Sequence, residues 1–242
     1  MGHFYSYYSS EDLKDKLKNK LNEVNNPNIF FLGDLTHDSS KNSWSHFINL
    51  KKDLKINELN INILPGNHDM LNIKSLELFK KINNGLEKNI KIGDCNIILG
   101  NSVNAKKLNF DSDLMISGGG LSDKSINILK SLDEKNFNIL LMHHSLFNFR
   151  IWAKHHNFET SDKIYKNALN QYNYWKEKIE PILIKKKVKI ILSGDGHNAN
   201  PTISSFNEIN YISNSANHLR QSISVVTIFK NNEYDIEFIE IY

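Results

Sequence analysis

Leu13, Leu17, Leu21 and Val24 fall at helical spacing in EDLKDKLKNKLNEV, which predicts an amphipathic helix over residues 11–24 with Ser10 as its N-cap. The period then changes. NIFFLGD (28–34) is a short apolar run that stops at Gly33-Asp34, as a buried strand does. WSHFINLKKDL (44–54) returns to helical spacing, INILPGNHD (61–69) reads as a strand with a polar tip, and SLELFKKI (75–82) is helical again.

Further along, IKIGDCNIILGNSV (90–103) and DLMIS (113–117) read as strands joined by tight turns, SINILKSLDEK (125–135) as a helix and FNILLMHH (137–144) as a buried strand. Residues 167–186 predict a long helix interrupted near Pro181, and VKIILSGDGHN is the next strand. INYISNS, SISVVTIFK and YDIEFIEIY complete the strand set, with Asn231-Asn232-Glu233 as a hairpin turn between the last two. Without an internal repeat or a linker, residues 1–242 read as one domain of α/β layers around mixed sheets.

Composition narrows the function classes. With 40% hydrophobic and 24% charged residues, the 242-residue chain has the makings of an ordinary soluble core. A formal charge of +3 is too small to argue for a nucleic-acid partner, and the KKK run at 185–187 reads as a solvated helix end. The single Cys95 excludes an intrachain disulfide framework. No apolar run approaches the ~20 residues that span a bilayer. The opening MGHFYSYYSSEDLK lacks a signal-peptide pattern, so the expectation is a cytoplasmic protein without membrane contact.

Four apolar stretches run straight into metal-capable residues: IFFLGD at Asp34, INILPGNHD at Asn67-His68-Asp69, NILLMHH at His143-His144 and IILSGDGH at Asp195 and His197. A lone histidine after a strand is commonly a satisfied surface or core residue, and Gly-Asp is commonly a turn. Four such tips matter because the carboxyl ends of strands in α/β sheets converge on one crevice. Carboxylate, amide and imidazole donors without a thiolate suit Mn, Fe, Zn, Ni or Mg. Glycines 33, 66, 194 and 196 permit tight turns and the close approach of a phosphate.

The ordered series GDLTHD, LPGNHD, a strand-end HH and a late Gly-x-Gly-His resembles the calcineurin-like metallophosphoesterase superfamily over about residues 29–220. The resemblance implies an α/β/β/α sandwich of two mixed β-sheets flanked by helices, with two divalent metal ions at the strand ends. It implies that Asp34 bridges both metals, that Asn67 and His143 bind the second, and that His197 binds the first. His144 would lie behind His143 or face substrate. His68 would face the scissile phosphate, with Asp69 orienting its ring. The implied activity is hydrolysis of a small-molecule phosphate mono- or diester by metal-activated hydroxide.

Two departures stand against the family pattern. Asp195 occupies the place of a metal-binding histidine, either as a substituted ligand or as a turn aspartate. The Asp-x-His pair that ends the family's first strand is missing before Asp34, so the sandwich is expected to lack that strand; His3 is a weak substitute. The alternative reading is therefore a truncated or degenerate relative that binds without catalysis. A nucleic-acid phosphodiesterase has less support, for want of a basic patch. Residues 145–175, rich in aromatics and carrying Arg150, His155 and His156, read equally as a cap on the site or as a surface excursion. Substrate, metal identity and oligomeric state are left open.

Overall fold

The computed structural model describes residues 11–24, 27–36, 38–53, 60–71, 73–83, 85–103, 120–144, 173–195, 201–214, 216–217 and 220–241. The expectations for Ser10, His3, DLMIS, residues 145–172, Gly196 and His197 lie outside them.

Helix α1 (Glu11–Glu23) buries Leu17 and half-buries Leu21, the stripe that the sequence predicts. Helix α2 (Lys41–Asp53) starts three residues before the predicted boundary because Ser40 caps it: Ser43 N donates to Ser40 Oγ at 3.1 Å. Its Trp44, Phe47 and Leu50 are buried at helical spacing. Helix α3 (Ile73–Asn83) is tied down at its end by Asn83, whose side-chain amide donates to Ile63 O and to Gly85 O. Helix α4 (Asp123–Ser131) begins at the Ser122 cap, which accepts from Ser125 N, and buries Ile126 and Leu129.

The interruption near Pro181 takes a specific form. A π-helical turn, Trp175–Ile179, leads directly into α5 (Glu180–Lys185), and Glu180 N–H bonds back to Trp175 O. Pro181 has no N–H and its ring crowds the carbonyl four residues earlier; a widened turn ahead of it relieves that crowding.

Strands β1 (Asn28–Phe31) and β2 (Asn60–Ile63) form a parallel pair. A six-stranded mixed sheet is ordered β3 (Lys88–Ile92), β4 (Cys95–Gly100), β5 (Phe137–His144), β6 (Val188–Asp195), β8 (Ile209–Ser213), β7 (Thr202–Phe206). Its four inner strands β4, β5, β6 and β8 run parallel, so their carboxyl ends share one edge. Strands β9 (Ala216–Asn217), β10 (Arg220–Ile228) and β11 (Tyr234–Ile241) make a third, antiparallel sheet. The β10–β11 hairpin turns at the predicted Asn231-Asn232-Glu233, with Asn232 at φ 63°.

Alternation along the strands assembles these pieces into layers. Ile29, Phe31, Ile61, Ile63 and Ile223 pack with α1, α2 and α3, and Phe31 meets Phe47 edge-on at 5.1 Å. Phe30, Leu32, Leu64, Val226, Ile236 and Phe238 pack instead on Leu99, Leu141 and Leu192 of the six-stranded sheet. Leu140, Met142 and Ile191, on that sheet's other face, meet Leu129, Ile179 and Leu183. The result is the expected α/β/β/α sandwich. Each fully buried apolar side chain in it contributes roughly 1.5–3 kcal/mol.

Two details differ from the sequence reading. The layer containing β1 and β2 is two separately hydrogen-bonded sheets rather than one, with no strand among the described residues linking them. Strand β7 was not anticipated, because an edge strand with half-exposed Ile203 and Phe206 carries little apolar signal. Its hairpin to β8 turns on Asn207 and Glu208, both at positive φ (51° and 61°), as a two-residue turn requires. No described helix is long and apolar enough to cross a membrane.

Candidate metal centre at the strand ends

Just past β1 the backbone folds sharply. Gly33 has φ 89°, and a Cβ there would lie 2.6 Å from His143 Nδ1. Asp34 follows at φ 53°, a left-handed conformation that costs an L-residue roughly 1–2 kcal/mol and that aspartate tolerates better than most. The turn after β2 closes on it: a Cβ on Gly66 would come within 2.1 Å of both Asp34 N and Asp34 Oδ1. These glycines serve backbone meeting backbone, a tighter demand than the phosphate approach expected from sequence.

Asp34 is fully buried, and its Oδ1 accepts from His68 N at 3.0 Å. Its Oδ2 lies 3.4 Å from His143 Nε2. His143 Nδ1 is 2.7 Å from Leu32 O; a carbonyl only accepts, so Nδ1 carries a proton. That fixes the tautomer, and Nε2 points at Asn67 Oδ1 (3.0 Å) and the Asp34 carboxylate. Two oxygen acceptors thus converge on one imidazole nitrogen. Burial by itself would push the His143 ring below its ordinary value, but the Asp34 carboxylate, with help from Asp195 and the Leu32 carbonyl, raises it to about 9. The pocket attracts positive charge. A proton on Nε2 meets that demand, and a divalent cation would meet it too, since Asp34, Asn67 and His143 all offer donors of the hard or borderline kind.

Asp69 is also fully buried. Its Oδ1 accepts from Thr36 N (2.9 Å) and Thr36 Oγ1 (3.0 Å), and its Oδ2 from Gly66 N (3.0 Å). The carboxylate expected to orient the His68 ring therefore directs these bonds to the two loops on either side. Burial and the nearby Asp34 charge raise its pKa to about 7, against the pull of the Gly66 and Thr36 hydrogen bonds. His68 itself is held by its backbone: its carbonyl accepts from Ser39 Oγ at 2.5 Å and Thr36 Oγ1 at 3.3 Å. The residue is half-buried.

On the six-stranded sheet, His144 and Asp195 are direct partners in the β5–β6 register. One ligand atom from each of His143, His144 and Asp195 lies within 4.8 Å of the others. Of the site residues read from sequence, Asp34, Asn67, His68, Asp69, His143 and Asp195 meet at this edge, and His197 lies outside the described residues. Thr36, Ser39 and Ser102 went unnoticed in the sequence. Thr36 sits inside the quoted GDLTHD and Ser39 directly follows it, and Ser102 ends a fifth tip, IILGNS, at the end of β4, whose Gly100 pairs with Met142.

Parallel strand ends that gather a buried carboxylate, an amide and imidazoles define an α/β protein with metal-capable side chains clustered at one sheet edge. The family model of the calcineurin-like phosphoesterases matches residues 3–199, and the chain belongs to that family. Its fold is similar to that of a Staphylococcus aureus protein described as a 5′-nucleotidase, in complex with alpha-ketoglutarate (TM-score 0.52, 12% identity, 97% of this chain and 50% of that one). It is also similar to GAP50, described as the anchor in the inner membrane complex of Plasmodium (TM-score 0.50, 13% identity, 99% and 78%). At such identities the likeness is one of fold, and this chain spans half the length of the S. aureus protein. No curated protein sequence matches it significantly.

Proposed function

We propose that the chain hydrolyses a small-molecule phosphate mono- or diester with the help of two divalent cations. The observation that supports this best is the convergence of Asp34 Oδ2 and Asn67 Oδ1 on His143 Nε2, in a ring whose tautomer is set by Leu32 O. Asp34, Asn67, His143 and Asp195 would hold the cations, with His197 as the further ligand that the family resemblance implies. Bound cations supply Lewis-acid polarisation of phosphoryl oxygens and lower the pKa of water.

The protein's own part is positioning and proton transfer. His68 sits between Asp34, which takes its backbone N–H, and Ser39, which binds its carbonyl, so its imidazole is carried on a fixed backbone at the pocket's rim. As water's oxygen bonds to phosphorus and the ester P–O bond breaks, His68 gives a proton to the leaving oxygen, and the proton that the attacking water releases restores it. Asp69 acts on His68 through the loop, holding Thr36 and Gly66 in place.

The test is metal analysis together with hydrolysis of a generic aryl phosphate. Two cations per chain with turnover supports the enzyme, and His68→Ala should then depress turnover far more than metal content. Equal loss of both refutes the proton-donor role. One cation or none, without turnover, favours a non-catalytic binding protein, the reading that Asp195 in a histidine's place recommends.

A further inference from the structure

We propose that His144 is itself a metal ligand, completing with His143 and Asp195 a cation site in which Ser102 positions the second ring. The proposal rests on the reading above for the presence of a divalent cation, and it adds a ligand that the family resemblance places behind the metals or toward substrate.

Register supplies the first support. β5 and β6 run parallel with His144 opposite Asp195, so the two side chains leave the same face of adjacent strands. His143, one residue earlier, turns its ring edge-on to His144, with centroids 4.7 Å apart and planes at 75°. One donor atom from each of the three residues lies within 4.8 Å of the other two, wider than in a coordinated set, so binding requires the donors to close on the ion. Two neutral imidazoles and one carboxylate match zinc, cobalt, nickel or manganese.

Ser102 supplies the second. It is 1% exposed, and its Oγ lies 2.9 Å from His144 Nδ1 while accepting from His144 N at 3.1 Å. A ring only 3% exposed is thereby clamped through Nδ1, as Leu32 O clamps His143. The Ser102 hydroxyl can accept an Nδ1–H bond as well as donate one, and in the tautomer where it accepts, His144 Nε2 carries the lone pair that a cation needs. The carrier of this clamp comes from the neighbouring strand β4: Ser102 follows Gly100 at the same sheet edge. Both histidines thus have a fixed partner on Nδ1: a carbonyl that sets the tautomer of His143, and a hydroxyl that suits either tautomer of His144.

The experiment uses the full chain with Zn2+ as probe. Affinity is read by competition with a chromogenic chelator, and ring chemistry by long-range 1H–15N correlation on histidine-15N-labelled protein. His144→Gln should weaken Zn2+ binding about tenfold or more, and Ser102→Ala by about tenfold, with Ser102→Thr restoring affinity because it keeps the hydroxyl. In the labelled wild type, Zn2+ should shift Nε2 of His143 and of His144 together. Zn2+ binding that His143→Gln weakens but His144→Gln does not, or a His144 Nε2 signal unmoved by saturating Zn2+, overturns this proposal and leaves the phosphoesterase reading standing. A wild type that takes up no Zn2+ overturns both. If His144→Gln does not fold, the wild-type correlation spectrum alone decides.

Discussion

Asp34 Oδ2 and His143 Nε2 face each other at 3.4 Å with both side chains fully buried, and Leu32 O holds the opposite ring nitrogen at 2.7 Å. A left-handed Asp34 and a strand-end histidine from a different sheet therefore meet as an acid–imidazole pair across the sandwich. The pairing explains why His143 retains a proton despite complete burial.

Removing the charge should release that proton. In Asp34→Asn, kept free of metal, the His143 pKa falls from about 9 toward or below 6.5, as read by NMR titration of the ring. The same variant should bind Zn2+ or Mn2+ at least about tenfold more weakly, as loss of an interaction around a metal site does. An unchanged His143 titration would show that Asp34 is not its dominant partner.

Metal-free stability should fall as pH rises. His143 has a raised pKa in the folded state, so its contribution is complete below about 6.5 and is lost as pH passes about 9. Asp69, raised from 3.8 to about 7, keeps a proton that the unfolded chain gives up, and this too costs stability as pH climbs through that interval. Both groups act in one direction. Thermal melts in chelator at pH 5, 7 and 9 should show descending midpoints; a midpoint that rises from pH 5 to 9 contradicts the assignment. Added Zn2+ competes with the His143 proton, so its stabilising effect should grow over the same range.

Gly66→Ala tests the close approach of the two loops. The new methyl would sit 2.1 Å from Asp34 N and Oδ1, a backbone clash that no rotamer change relieves. We expect a loss of about 3 kcal/mol or more in urea denaturation, at the upper end for overpacking, together with weakened cation binding. Gly85→Ala is a useful contrast, since its strain would come from φ 119° alone, with open space around the added carbon.

Asp69→Asn should separate loop support from catalysis. The amide keeps one acceptor for Thr36 and turns an NH2 toward Gly66 N–H, leaving two donors face to face. A destabilisation of about 1–3 kcal/mol follows from the lost buried bond. Turnover should fall through displacement of His68, and Thr36→Val, which removes the hydroxyl that reaches both Asp69 and the His68 carbonyl but keeps the Thr36 N–H bond to Asp69, should show a loss of the same kind. Full stability in Asp69→Asn would deny it the structural role.

Much of the fold was legible because burial leaves a period. Trp44, Phe47 and Leu50 announce a helix face, and the unbroken apolar run of β5 announces a strand covered on both sides. The edge strand β7 left too faint a trace, since half-exposed strands alternate with serine rather than with charge. At the site, the Asp34, Asn67, His143 and Asp195 tips were visible as polar endings to apolar runs. Ser102 was not singled out, because a serine after Gly100-Asn101 looks like any turn until β4 is known to lie beside β5.

The sequence by itself determined which residues are available for chemistry, and that each stands at the end of a strand, because hydrophobic period and chain punctuation are local properties. Only the tertiary structure decided their relations. Leu32 O and Ser102 Oγ reach the far nitrogens of the two histidines, Asp69 fastens Thr36 to Gly66, and Asp34 meets His143 across two sheets. Such contacts depend on strand order and register, which are set by the packing of whole layers and leave no mark in the neighbourhood of any one residue.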